Sequence, residues 1–143
     1  MSSNLSHCTV SDPSESSAPL RVDLAGGWTD VRPYPTDFGG EVVNFAIKHR
    51  VRVRKPEEGG DSDLEFDFPV PRGSGLGTSS AMNVALVALN SASQLEKPEE
   101  IAEQAFISES RENRCGRQDH WASAIGGFNH LLFIGDSVER MPF

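Results

Sequence analysis

Residues 71–81 read Pro71-Arg72-Gly73-Ser74-Gly75-Leu76-Gly77-Thr78-Ser79-Ser80-Ala81. Gly73, Gly75 and Gly77 fall within five positions, so the backbone can turn sharply and aim its N–H groups at one point. The hydroxyl residues Thr78, Ser79 and Ser80 follow, and then an apolar run of helical length. A glycine loop that feeds a helix N-terminus is an anion site, because the free N–H groups and the helix dipole both favour negative charge. The pattern predicts a cradle for the phosphates of a nucleotide. Two common loops are disfavoured. A Walker loop needs a Lys before its Ser/Thr, and Gly77-Thr78 has none. A dinucleotide fingerprint needs a third Gly where Thr78 stands. A flexible Gly/Ser linker fits poorly between a strand and a buried helix.

Carboxylates supply the other candidate chemistry. Ile101, Ala105 and Glu109 fall at i, i+4 and i+8 of a predicted helix, so a carboxylate extends an apolar stripe. A buried carboxylate needs a partner, either a cation or a base such as Arg111. Asp119 lies at the start of a predicted short helix, where the dipole favours negative charge and an Asp also serves as a cap. Asp30 follows Thr29 and also reads as a turn residue. Arg21, alone, reads as a surface arginine on a strand. Cys8 and Cys115 stand far apart, and His7, His49, His120 and His130 are scattered, so no zinc spacing is present.

The elements that would hold these residues follow from the apolar pattern. Residues 1–17 are Ser-rich and polar and predict a disordered tail, with order beginning near Ala18-Pro19. Alternation predicts strands over Arg21–Ala25, His49–Lys55 and Leu64–Phe68, the last leading into the glycine loop, and apolar content predicts one over Glu41–Ile47. Pro33, Pro35, Gly39 and Gly40 predict a loop over 32–40, and Glu57–Asp63 an acidic turn. Thr78 to about Gln94 predicts a central helix, apolar around most of its circumference. Pro98, Glu99 and Glu100 open a second helix, and Gln118–Ile125 a third, ended by Gly126-Gly127. His130–Ile134 is expected as the final strand. Early strands and later helices make an α+β domain.

The chain has 143 residues, 24% charged and 37% hydrophobic, which suits one globular domain. Its net charge of -8 makes it a poor nucleic-acid binder, so an anionic nucleotide needs local donors and a metal. Two thiols without a pairing pattern fit a reducing, cytoplasmic setting. No apolar run follows Met1, and none reaches the length of a membrane span.

Three segments, in order, resemble the galactokinase–homoserine kinase–mevalonate kinase–phosphomevalonate kinase (GHMP kinase) superfamily. Pro71–Ala81 resembles its phosphate-binding motif. Ala18-Pro19-Leu20-Arg21-Val22-Asp23-Leu24-Ala25-Gly26-Gly27-Trp28-Thr29-Asp30 resembles the first motif of its sugar kinases. With Pro33-Tyr34 and Gly39-Gly40-Glu41-Val42-Val43-Asn44, it is most similar to fucokinase and heptose 7-phosphate kinase. Gly116-Arg117-Gln118-Asp119-His120, followed by Gly126-Gly127, resembles the segment bearing the acidic active-site residue. The resemblance implies the α+β N-terminal domain of that family (ribosomal protein S5 domain 2-like), truncated, over 18–143.

It also implies roles. ATP would lie on Pro71, Gly73, Ser74, Gly75, Leu76, Gly77, Thr78, Ser79 and Ser80, and Mg²⁺ on Ser79 and Glu109. Asp119 would act as catalytic acid/base, and Arg21 would stand beside the transferred phosphate. Trp28, Thr29 and Asp30 would bind a sugar or sugar phosphate. Gly27-Trp28 replaces the Glu-His of galactokinase, which argues against galactose. Complete relatives carry a second domain beyond the point matching Phe143 and a longer stretch between the first two motifs. The resemblance therefore implies either a kinase of fucose or heptose 7-phosphate type, or an inactive nucleotide-binding or regulatory fragment. A helix over 81–89 deprived of its cover would expose apolar surface and favour self-association.

Overall fold

The computed structural model describes residues 7–12, 14–57, 63–91 and 97–143. Six strands form one sheet: β1 Thr9–Asp12, β2 Glu15–Ala25, β3 Gly40–Arg54, β4 Glu65–Asp67, β5 Phe128–Ile134 and β6 Ser137–Met141. The order is β1-β2-β3-β5-β6, every pairing is antiparallel, and β4 adds to the far end of β3. The helices are α1 Tyr34–Asp37, α2 Thr78–Ser91, α3 Pro98–Ser110 and α4 Gln118–Ile125. α2 and α4 lie on the sheet against β2 and β3, and α3 packs outside them against both. The α+β architecture is as expected.

The core lies between sheet and helices. Leu20, Val42, Val51, Val53, Leu131 and Phe133 meet Ala81, Val84, Ala85 and Leu89 of α2, with Ala102 and Ala105 of α3 behind them. Alternation decides the faces of β5: Asn129, Leu131 and Phe133 are buried, while Phe128 and Ile134 point outward.

Several expectations need correction. The polar tail over 1–17 is too long. β1 pairs with β2, Ser16 is fully buried, and its hydroxyl donates to the Ala85 carbonyl at 2.5 Å. Serines suit this position because their hydroxyls bond the helix and the neighbouring strand, as Ser17 does with Thr9. Residues 1–6 lie outside the described residues, as do 58–62 of the acidic turn and 92–96 at the expected end of α2.

The two strands expected over 41–47 and 49–55 are one, β3. The expected break is a bulge: Arg21 pairs with Ala46 but Pro19 pairs with Arg50, so three residues of β3 stand opposite Leu20. The 32–40 loop contains the single turn α1. β5 is not the last strand, because Gly135 turns the chain into β6. Nor does α2 lose its cover; the sheet, α3 and α4 enclose Ala81, Val84, Ala85, Ala88 and Leu89. Exposed apolar surface lies instead on residues such as Phe128 and Ile134.

Candidate active site

Arg21 and the start of α4 build the centre of the site. Arg21 sits on β2 facing the helices and is 9% exposed. Its Nε and Nη2 both donate to Asp119 Oδ1 at 2.7 Å, and its Nη1 donates to the Gly75 carbonyl at 2.8 Å. The Arg21 backbone N–H reaches the Leu76 carbonyl at 3.1 Å. One residue therefore binds the glycine loop to the acidic residue of α4. The loop needs its glycines: Gly73, Gly75 and Gly77 have φ of 82°, 80° and 74°. A Cβ on Gly73 or Gly75 would meet open space, whereas one on Gly77 would stand 3.5 Å from Asp119 Oδ2.

Glu109 is the second centre. It ends the buried stripe of α3, formed by Ala102, Ala105 and Glu109, and is 7% exposed. Its Oε1 accepts from the Ser79 hydroxyl at 2.7 Å and its Oε2 from the Ser80 hydroxyl at 3.0 Å. His120 Nε2 lies 2.6 Å from Oε2. Burial would raise this carboxyl, but the bonds from His120 and Ser79, the His120 charge and the Ser80 bond together hold it below the usual range. Arg111 is not its partner. Arg117 fixes α3 to α4, bonding Glu103 at 3.0 Å and lying over the Phe106 ring, while Trp121 Nε1 donates to Glu103.

Asp30 ends a 3₁₀ turn, Gly27–Asp30, and is 4% exposed. Its Oδ2 accepts the Gln118 backbone N–H at 2.9 Å, so it caps α4 from across the chain. Burial pushes its carboxyl above the usual range; the Gln118 bond opposes that and the nearby Asp119 charge adds to it. Gln118 is held in turn, donating to the Gly27 carbonyl at 2.5 Å and lying under the buried amides of Asn44 and Asn129.

Part of this set lines one cavity of about 320 Å³. The cavity joins Arg21, Trp28, Asp30, Glu109 and Asp119 to the glycine loop and the Ser79 and Ser80 positions. Trp28 stands at its mouth, 72% exposed. Thr29 does not line it; its hydroxyl is spent on the Glu41 backbone at 3.1 Å, holding the turn to β3. Pro71, Ser74 and Leu76 also lie outside the lining, and Leu76 packs on the core. Asp23, Arg114, Cys115, Gly116 and Gln118 line the cavity without having been singled out from the sequence. All five except Arg114 and Cys115 lay inside quoted motifs, where a pattern marks a segment but not which side chain turns inward. Burial and the carboxylates of Glu109, Asp119 and Asp30 push the Cys115 thiol up to about 11.

The model for the N-terminal domain of GHMP kinases matches residues 42–127. The chain belongs to this family. It is 35% identical over 118 residues to a galactokinase of Actinobacillus succinogenes, across 77% of this chain and 30% of that protein. A 31-residue stretch, 22% of this chain, is 58% identical to the L-fucokinase/L-fucose-1-P guanylyltransferase of Bacteroides fragilis, covering 3% of it. The fold superposes with a TM-score of 0.78 and 25% identity on a D-glycero-D-manno-heptose 1-phosphate kinase from Bacteroides thetaiotaomicron, over 90% of this chain and 59% of that one. The GHMP kinase domain here thus spans under two thirds of each relative. Among the described residues no helix is long and apolar enough to cross a membrane.

Proposed function

We propose that this GHMP kinase domain is the ATP- and sugar-binding part of a sugar kinase that moves the γ-phosphoryl group of ATP to a sugar hydroxyl. The acceptor is a sugar or sugar phosphate of the fucose or heptose-phosphate kind, and its anomeric hydroxyl is the nucleophile. The reading is carried by one observation: Arg21 bonds Asp119 and the glycine loop at once, so an acidic group and that loop are held together on one cavity wall.

The residues fit both the ATP phosphates and Mg²⁺. Open space above Gly73 and Gly75 leaves their backbone free to approach phosphate oxygens. Glu109 and the Ser79 hydroxyl give hard oxygen donors of the kind Mg²⁺ takes. Mg²⁺ would offset charge on the phosphate oxygens. Asp119 Oδ1 is occupied by Arg21, and Oδ2 has no hydrogen bond among the described residues. Oδ2 is therefore the atom that orients the sugar hydroxyl and takes its proton. The Arg21 guanidinium supplies fixed positive charge beside the transfer. Asp30 and Trp28 bound the side of the cavity where the sugar lies.

The test is ADP release with ATP, Mg²⁺ and a panel of free sugars and sugar phosphates, beside calorimetric ATP binding. Asp119→Asn is expected to lower turnover about 10²- to 10⁴-fold and leave ATP binding intact. Saturable ATP binding with no turnover on any acceptor would support the alternative, a nucleotide-binding module without kinase activity. Absence of ATP binding would overturn both.

A further inference from the structure

Glu109, Cys115 and His120 come from three consecutive pieces of chain: the last turn of α3, the connection after it and the first turn of α4. One ligand atom from each lies within 4.8 Å of the other two. Their chemistry is mixed: a carboxylate, a thiol and an imidazole. Mg²⁺ takes oxygen ligands, whereas zinc-class ions take sulfur and nitrogen with oxygen. His120 is fully buried, its Nε2 is turned to the carboxylate, and its Nδ1 has no partner. Glu109 and Cys115 line the cavity, so the side away from His120 is open to a fourth ligand.

We propose that Glu109, Cys115 and His120 form a binding site for a thiophilic divalent cation of the zinc class, with water in the open position. The required movement is small. Two ligands about 2.1 Å from a tetrahedral ion stand about 3.4 Å apart. Nε2 and Oε2 part from 2.6 Å as the ion takes the place of the Nε2 proton, which the ring then carries on Nδ1; the half-buried Cys115 closes from the connecting turn, and its thiol proton leaves to solvent. Under the proposed kinase reading the same carboxylate would also serve Mg²⁺ with Ser79, so a zinc-class ion there would draw on a shared ligand.

Cobalt(II) titration of the full chain tests this without reference to activity. One equivalent is expected to bind with a near-ultraviolet thiolate-to-cobalt absorption, displaced by zinc. Cys115→Ser should abolish the absorption and weaken binding at least about tenfold, since a lost direct ligand costs no less than a lost outer partner. Cys8→Ser should leave both unchanged. His120→Asn removes a fully buried side chain, so His120 is better read from its ring ¹⁵N shifts on adding zinc. Failure to saturate at one equivalent, an absorption that survives Cys115→Ser, or unmoved His120 shifts would overturn the site. None of these results bears on ATP binding, so this inference and the kinase reading fail separately.

Discussion

Gly116 and Asp30 offer the sharpest test of how the site is held. A Cβ on Gly116 would stand 2.0 Å from Asp30 Oδ2 and 2.3 Å from its Cγ. Gly116 has no positive φ, so alanine suits its backbone and only this contact matters. Gly116→Ala must therefore push the Asp30 carboxylate off the Gln118 N–H that it accepts at 2.9 Å. Overpacking costs about 1–3 kcal/mol. Stranding the buried Gln118 N–H costs about 1–3 kcal/mol more. The sum, about 2–6 kcal/mol, is a large share of the 5–15 kcal/mol typical of a domain. Asp30→Ala alone incurs only the second cost. In the double variant no carboxylate remains to clash, so it should be no less stable than Asp30→Ala. The coupling energy is then about -2 to -6 kcal/mol. Urea midpoints at constant m-value measure it. Additivity within about 0.5 kcal/mol would refute the argument that Gly116 exists to admit Asp30.

Other expectations follow from the same geometry. Gly77→Ala forces a side chain into φ of 74° beside Asp119, which should cost about 1–2 kcal/mol by thermal melting and weaken ATP binding measured by calorimetry. Ser16→Ala should lose about 1 kcal/mol in urea unfolding, because its hydroxyl bonds Ala85 within the fold; no change would return residue 16 to a tail. Burial pushes the Cys8 thiol up to about 12, against a smaller opposing effect of Arg50. A raised folded value means stability is full below the unfolded thiol value near pH 8.5 and falls as pH rises toward about 12. Urea midpoints at rising alkaline pH should show that decline, and Cys8→Ala should make it shallower; equal slopes would contradict it.

Much of the fold was legible because its cues are local. Pro98 and the following acids start α3, Gly126 ends α4, alternation marks the end of β2 over 21–25, and an apolar run marks β5. Failures arose where distant partners decide. Ser16 looks like tail until Ala85 offers a carbonyl 69 residues away. Lys48 looks like a break because a bulge breaks the pattern without ending the strand. The structure brings Asp30, Glu109 and Asp119 to one cavity, as their segments led one to expect, yet which other side chains of those segments turn to it was not legible. Thr29 and Gln118 show the difference. Both sit in motifs, but Thr29 turns back to Glu41 while Gln118 turns to Asp23 and Gly27 at the cavity. Which polar residue turns to the cavity is set here by partners distant in sequence, Glu41 for Thr29 and Asp23 and Gly27 for Gln118, and no local pattern carries that.

The cost of the site is concentrated in one place. The buried side-chain polar atoms that lack a partner among the described residues are Asp23 Oδ1, Asp30 Oδ1 and His120 Nδ1. Asp23 and Asp30 line the cavity, and His120 stands directly behind the Glu109 that lines it. An orphaned buried polar atom costs about 1–3 kcal/mol. His120 escapes part of this when Nε2 carries its proton toward Glu109, because Nδ1 then strands a lone pair rather than an N–H. Asp30 also strands an oxygen, and burial raises its carboxyl, with the nearby Asp119 charge adding to the shift. A fold that needed Asp30 only as a cap for α4 could use Asn or Ser there and avoid both the charge and the repulsion. The retained carboxylate makes sense if a ligand with hydroxyl donors completes it, which is the chemistry a sugar brings.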